Sequence, residues 1–119
     1  MKKVMLVDDA QFVRHMLRVI LEKAGYEICA EMSNGTQAVL QYKHLAPDLV
    51  IMDINMPDMD GLEALEKIRA IDNKAKVIMV TALGREDLVV KAVKAGAAYF
   101  IVKPFTEEKV NEVLTRIKW

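Results

Sequence analysis

Polar residues stand directly after four short apolar segments of the chain. Asp8 and Asp9 follow the first such segment, and Asp53, Thr81 and Lys103 follow three later ones. Three carboxylates gathered in one place would repel one another, because like charges in a shared site disfavour joint ionisation. A hard divalent cation would relieve this repulsion. Oxygen ligands with no His or Cys at matching spacing favour Mg²⁺, or Mn²⁺ as a substitute, over Zn²⁺.

Lys103 and Thr81 would add a fixed positive charge and a hydroxyl group beside such a metal. Both groups can donate hydrogen bonds to the oxygens of a phosphoryl group. One carboxylate would then be the nucleophile, and Asp53 is the natural candidate because it stands alone after its segment. The paired Asp8 and Asp9 would hold the metal. The pattern therefore favours phosphoryl transfer to a carboxylate.

Five apolar segments have the pattern of β-strands that would position these side chains. They cover residues 4–7, 27–31, 49–52, 77–80 and 99–102. Most are nearly continuous runs of Val, Ile, Leu or Met, which is typical of strands covered on both faces. The segment 27–31 has charged ends and is expected at an edge of the sheet. The pattern predicts a parallel sheet with helices on both sides.

Amphipathic helices are predicted between the strands. In the first, residues 12–24 carry apolar side chains at helical spacing, Arg14 and Arg18 belong to the opposite polar face, and Gly25 stands where a left-handed residue often ends a helix. Further helices are predicted at 35–45, 61–71, 85–95 and 107–117. Strand and helix alternate five times, which predicts an α/β fold. Its strands would end at one rim, where ligands of such sheets bind.

The bulk composition limits the classes of function. A length of 119 residues suits one domain, here residues 1–119. Lys plus Arg and Asp plus Glu each number 17, so no global charge attracts nucleic acid or an anionic membrane. No apolar run approaches the ~20 residues that span a bilayer. With Cys29 as the sole cysteine and no signal-peptide pattern, we expect a cytoplasmic protein.

Four motifs, in order along the whole chain, resemble those of response-regulator receiver domains. They are LVDDAQFVR at 6–14, DLVIMDINMPDMDG at 48–61, VTAL at 80–83 and KAGAAYFIVKPF at 94–105. The opening motif and the lack of an output domain in this sequence resemble the chemotaxis branch of the family, the CheY type. The resemblance implies a doubly wound, flavodoxin-like sheet of five strands in the order 2-1-3-4-5, with five helices on both faces.

The resemblance also implies roles for the rim residues. Asp53 would accept a phosphoryl group from a histidine kinase of the chemotaxis type. Asp9 would bind Mg²⁺ directly, Asp8 would assist through water, and Asn55 would supply its backbone carbonyl. Lys103 would pair with a phosphoryl oxygen, and its bond to Pro104 is expected to be cis. Such domains also catalyse their own phosphorylation from small donors and their own dephosphorylation.

Signal output would run through Thr81 and Phe100, which hold the family's switch positions. Both adjoin the fourth helix, the fifth strand and the fifth helix, so that face should carry the partner site. Val90 supports this expectation because it is apolar on an otherwise polar side of its helix, beside Lys91 and Lys94. The implied partners are the flagellar motor switch protein and a phosphatase, with no nucleic acid or membrane, and the protein is expected to be a monomer.

Two alternatives remain open from the sequence. The chain would be the receiver part of a DNA-binding regulator if a downstream coding region followed, although no basic recognition helix is present in it. An aspartate-nucleophile phosphatase of the haloacid-dehalogenase type is the other. Its DxDx[TV] signature is missing, since residues 7–10 are Val-Asp-Asp-Ala, and no cap segment encloses a substrate. For single residues, the alternatives are that Thr81 is an ordinary strand-end residue and that Phe100 is a core residue.

Overall fold

The computed structural model describes residues 1–56 and 58–119, so Pro57 of the second motif lies outside the described residues. Five strands alternate with five helices. The strands are β1 (Lys3–Val7), β2 (Glu27–Met32), β3 (Leu49–Asp53), β4 (Val77–Ala82) and β5 (Tyr99–Lys103). The helices are α1 (Gln11–Lys23), α2 (Gly35–Leu45), α3 (Gly61–Ile71), α4 (Glu86–Lys94) and α5 (Glu107–Arg116).

All strand pairs are parallel, and the strand order is β2-β1-β3-β4-β5. The predicted fold class and strand order are confirmed, and β2 lies at an edge as its charged ends indicated. Asp53 pairs with Val80 and Thr81 pairs with Val102 across the sheet. The carboxyl ends of β3, β4 and β5 therefore lie within two residues of one another in register, which brings their last side chains to one rim.

Two hydrophobic cores lie on the two faces of the sheet. Successive side chains of a strand point to opposite faces, so β1 sends Val4 and Leu6 to one core and Met5 and Val7 to the other. The helices α1 and α5 cover the first core, while α2, α3 and α4 cover the second. Burial on both faces explains why the strand sequences are almost continuously apolar. No described helix is long and apolar enough to cross a membrane.

The helices α2 and α3 have the predicted bounds, and the other elements differ from the predicted bounds by one or two residues. The strands β3 and β5 include Asp53 and Lys103, which the sequence pattern placed just after them, because ladder pairing continues to both residues. Gly25 has a φ of +93°, as expected of a residue that follows a helix end. The last helix ends at Arg116 rather than at 117, since Ile117 is extended with a ψ of 131°.

Candidate functional site

The structure brings the three predicted carboxylates together at the rim. One oxygen of each of Asp8, Asp9 and Asp53 lies within 4.8 Å of the others. Asp8 and Asp53 are buried, at 2% and 6% exposed, while Asp9 faces solvent. Asp53 comes from β3, and the aspartate pair follows β1, the neighbouring strand. A site with two buried carboxylates and one open to water is suited to a partly hydrated cation.

Lys103 links two of these carboxylates from the end of β5. Its Nζ donates a hydrogen bond to Asp53 Oδ2 at 3.0 Å and lies 3.2 Å from Asp8 Oδ2. Burial by itself would lower the pKa of Lys103, but the hydrogen bond and charge of Asp53, together with the charge of Asp8, raise it above the usual value. Lys103 therefore stays protonated and can act as a fixed cation. The Lys103–Pro104 bond is cis, as expected.

Asp8 provides the test of whether the rim fits a metal ion. Burial raises its pKa and the charge of Asp53 raises it further, whereas a hydrogen bond from the Ala10 amide to Oδ1 at 2.9 Å and the charge of Lys103 lower it. Its buried Oδ2 accepts no hydrogen bond from any described residue, although it faces the Lys103 charge. A buried carboxylate oxygen without a donor is an available ligand atom. The three carboxylates fit an oxygen-preferring cation such as Mg²⁺.

Asn55 and Thr81 are the two other residues predicted for this rim. The Asn55 amide donates to Asp53 Oδ1 at 3.2 Å, which leaves that carboxylate bonded on both oxygens. Thr81 is 2% exposed, and its Oγ1 has no hydrogen-bond partner within the described ranges. A buried hydroxyl without a partner is uncommon and often belongs to a site that receives a ligand. Close packing also defines the rim, because a Cβ on Gly61 would lie 2.2 Å from the Asp53 carbonyl oxygen.

Sequence reasoning missed the role of Arg14. It was expected on the polar outer face of α1, yet its side chain is only 15% exposed. Its Nη1 donates to the backbone carbonyl of Asp8 at 2.6 Å, and its Nε donates to Glu31 Oε1 at 3.0 Å. Arg14 falls inside the first receiver motif, which was the available signal. Helical periodicity could not reveal it, because a long side chain can turn back to the loop before its own helix.

The predicted output face is a pair of depressions beside the rim. Thr81, Val90 and Phe100 line one of about 260 Å³. Phe100 also lines a larger groove of about 540 Å³ against α5, together with Leu83, Val102, Lys109 and others. Val90 and Phe100 are 53% and 42% exposed.

The two lysines predicted for the same face lie on α4, the helix that carries Val90. Lys91 and Lys94 are exposed on α4 but do not line either depression. The sequence did not single out Leu83, which is 76% exposed and lines both. The end of β4, the strand β5 and the helices α4 and α5 all contribute residues to the two depressions.

The sequence of this chain is similar to those of known proteins. The family described as the response regulator receiver domain matches residues 4–115. The chemotaxis protein CheY of Thermotoga maritima is 50% identical over 116 residues, which are 98% of this chain and 97% of that protein. CheY of Bacillus subtilis is 49% identical over 114 residues, or 96% and 95% of the two chains.

A solved structure, the CheX–CheY–BeF₃–Mg²⁺ complex from Borrelia burgdorferi, contains a similar chain. The two superpose with a TM-score of 0.92 at 38% identity, covering 98% of this chain and 90% of that one. Matches of this extent, together with the acidic rim and its lysine, show that the chain belongs to the response regulator receiver domain family, with CheY-type relatives.

Proposed function

We propose that this receiver, acting as a single domain and a monomer, is the phosphorylated switch of a chemotaxis two-component system in the cytoplasm. A chemotaxis histidine kinase supplies the phosphoryl group, and Asp53 accepts it in a Mg²⁺-dependent reaction. The phosphorylated form then binds the flagellar motor switch protein. Because the Borrelia relative is in a complex with CheX, we further propose a CheX-type partner that acts as a phosphatase.

The observation that carries the proposal is the position of Lys103 Nζ, 3.0 Å from Asp53 Oδ2 and 3.2 Å from Asp8 Oδ2. A protonated lysine already bonded to the candidate nucleophile is placed to stabilise charge that develops on a phosphoryl oxygen. The adjoining carboxylates of Asp8 and Asp9, with the Asn55 backbone carbonyl, would hold Mg²⁺. The metal would neutralise phosphoryl charge, as in other phosphoryl transfers.

In the transfer step, an Asp53 carboxylate oxygen forms a bond to phosphorus while the bond from phosphorus to the kinase histidine nitrogen breaks. The histidine leaves with the electron pair of that bond, so no oxidant or reductant is needed. Lys103 then pairs with a phosphoryl oxygen in place of Asp53 Oδ2. The buried Thr81 hydroxyl, which has no partner among the described residues, donates to another phosphoryl oxygen. Phosphoryl transfer from a small phosphodonor to Asp53, and from phosphorylated Asp53 to water, would use the same groups.

The switch follows from the shared depression beside the rim. A phosphoryl group adds roughly −1.5 to −2 charge at Asp53 and draws the Thr81 hydroxyl toward it. Thr81, Val90 and Phe100 line one depression, so movement of Thr81 changes the space available to the Phe100 ring. That coupling supports an output face formed by Val90, Phe100 and the groove against α5. Lys91 and Lys94 would act there only as flanking charges.

The proposal is tested by phosphorylation from a small donor. The protein is incubated with phosphoramidate or acetyl phosphate, with and without Mg²⁺, and its intact mass is followed. We expect a gain of one phosphoryl group that requires Mg²⁺ and is lost in Asp53→Asn. An Asp58→Asn variant is the matched control, because Asp58 is an exposed aspartate that follows the same strand.

Two results would contradict the proposal. A folded protein that gains no mass with either donor would not be a phosphorylated switch. A gain that persists in Asp53→Asn would place the modification on another residue. The chemotaxis role is tested separately, by measuring binding of the motor switch protein to the phosphorylated and unphosphorylated forms. Equal affinity for the two forms would exclude a phosphorylation-dependent output to that partner.

A further inference from the structure

Arg14, on α1, links the loop after β1 to the edge strand β2 through two donor groups. Its Nη1 donates to the Asp8 carbonyl oxygen at 2.6 Å, just before α1 begins. Its Nε donates to Glu31 Oε1 at 3.0 Å, on the edge strand β2. The other Glu31 oxygen accepts from Arg18 Nε at 2.7 Å. The guanidinium is thus held by Glu31 while it fixes one peptide of the loop between β1 and α1.

The peptide that Arg14 fixes is the one between the two metal-ligand candidates. A peptide group is planar, so holding the Asp8 carbonyl also sets the direction of the Asp9 amide and the start of the Asp9 backbone. Asp8 has further restraints, since its amide donates to Met32 O at 3.0 Å and its Oδ1 accepts from the Ala10 amide. The exposed Asp9 carboxylate has no hydrogen-bond donor in the described part of the chain. Its position therefore depends on its backbone.

An arginine suits this place better than another cation. The two donors point at acceptors on different elements, and a planar guanidinium holds both directions at once. A lysine has a compact ammonium on a flexible stem, so it cannot hold the two acceptors in fixed directions as a guanidinium does. The side chain is also 15% exposed, so the hydrogen bond to the Asp8 carbonyl is shielded from water.

We infer that Arg14, oriented by Glu31, is a positioning residue that sets the Asp8–Asp9 backbone so that both carboxylates are presented to Mg²⁺. This inference rests on the proposed Mg²⁺-dependent function and adds a residue that touches neither the metal nor the phosphoryl group. It acts as the outer contacts of metal sites do, by fixing the direction of the groups that bind the ion.

The test is the Mg²⁺ affinity of the unphosphorylated protein, measured by MgCl₂ titration with the amide NMR signals of Asp9 and Ala10 as the readout. Removing an outer contact typically weakens a metal site ~10–100-fold, so Arg14→Gln should raise the dissociation constant about tenfold. Arg14→Lys keeps the charge, but its Mg²⁺ affinity should fall to a similar extent. The matched control is Arg18→Gln, which also removes an ion pair with Glu31 but contacts no residue of the rim. It should change the affinity less than about twofold.

Thermal unfolding without Mg²⁺ separates positioning from general loosening of the fold. Arg14→Gln and Arg18→Gln each lose an ion pair with Glu31, so similar losses of stability with unequal losses of affinity would support positioning. Equal affinity losses, or an Arg14→Gln protein that binds Mg²⁺ like the wild type, would overturn the inference. The Asp9→Asn variant tests separately whether Mg²⁺ binds at the proposed site. If the wild type shows no Mg²⁺ binding that Asp9→Asn removes, both the site and the inference are wrong.

Discussion

The ammonium of Lys103 occupies the position beside Asp53 that a second cation would compete for. Its Nζ is 3.0 Å from Asp53 Oδ2, and the same nitrogen faces Asp8 at 3.2 Å. The lysine therefore has two opposed effects in the proposed function. It lowers the attraction of the rim for Mg²⁺ before phosphorylation, and it stabilises the phosphoryl group afterwards.

Replacing this lysine should separate the two effects. In Lys103→Met we expect Mg²⁺ to bind roughly three- to tenfold more tightly, because a nearby positive charge is gone. Phosphorylation from phosphoramidate should nevertheless slow by at least about tenfold, since a charge-assisted donor is lost. Metal titration measures the Mg²⁺ affinity, and intact mass over time measures the rate of phosphorylation. Lys43→Met, an exposed lysine of α2, is the control and should change neither. A decrease in both Mg²⁺ affinity and phosphorylation rate in Lys103→Met would contradict the two opposed effects assigned to Lys103.

Asp8 should destabilise the metal-free protein. Its folded-state pKa lies above the usual 3.8 because of burial, so the folded state binds this proton more tightly than the unfolded state. The free energy of unfolding then falls as the pH rises through that raised pKa. Asp8→Asn removes the effect and should raise the stability at pH 7 by about 1 kcal/mol in urea unfolding without metal.

Mg²⁺ should make the wild type more stable than Asp8→Asn, which reverses their order without metal. A ligand that binds only the folded state adds about 2.7 kcal/mol of stability at a hundred times its dissociation constant, and Asp8→Asn should lose most of this gain. An Asp8→Asn protein that is less stable than the wild type without metal would contradict this account of the buried carboxylate.

Glu31 should make the free energy of unfolding rise with pH, the opposite of the effect of Asp8. Burial favours a higher pKa, but the hydrogen bonds and charges of Arg18 and Arg14 outweigh it and lower the pKa below 4.5. Its stabilising effect is present above the unfolded value and is lost as the pH falls through the folded one. Glu31→Gln should cost about 0.5–1 kcal/mol at pH 7 and less at pH 3. Urea unfolding at both pH values, with Glu22→Gln as the exposed control, provides the measurement.

Gly61 should tolerate no side chain. A Cβ there would lie 2.2 Å from the Asp53 carbonyl oxygen and 2.7 Å from Ile54 Cα, so backbone at the rim would have to move. We expect Gly61→Ala to cost about 3 kcal/mol in chemical unfolding and to weaken Mg²⁺ binding. Gly25→Ala has open space within 4 Å but a φ of +93°, so it should cost only about 1 kcal/mol and leave Mg²⁺ binding unchanged. Equal losses of stability and of Mg²⁺ affinity in Gly61→Ala and Gly25→Ala would argue against the close contact between Gly61 and the Asp53 carbonyl.

Val90 tests the output face. Val90→Asp places a charge in the depression that Thr81 and Phe100 line, and it should weaken binding of the motor switch protein at least about tenfold. Phosphorylation of Asp53 should be unchanged by intact mass. Val93→Asp is the control, because Val93 is similarly exposed at 56% on the same helix but does not line that depression. Equal affinities for Val90→Asp and wild type would place the partner elsewhere.

The sequence predicted the fold closely because each strand is buried on both faces and each helix has one apolar side. The continuous run of β3 and the periodic apolar residues of α1 are strong signals of this kind. Strand order was available only through resemblance, since periodicity does not say which strands are neighbours. The predicted strand ends were one residue short at β3 and β5, because ladder pairing continues to the polar residues Asp53 and Lys103.

The candidate site was predictable only in part. Side chains at the ends of parallel strands meet at one rim, so the grouping of Asp8, Asp9 and Asp53 followed from the order of the elements. The contact from Arg14 to a backbone carbonyl did not follow, because it depends on the path of one long side chain. The depressions on the output face also depend on three-dimensional packing, which is why Leu83 was missed.

The shared depression lined by Thr81 and Phe100 has a thermodynamic consequence for the proposed switch. A phosphoryl group that biases Thr81 and a partner that contacts Phe100 act on the same local equilibrium. Linkage is reciprocal, so a partner that prefers the phosphorylated form by a given factor must favour that form at equilibrium by the same factor. The output protein is then also an effector: its abundance helps to set how much of the receiver carries phosphate.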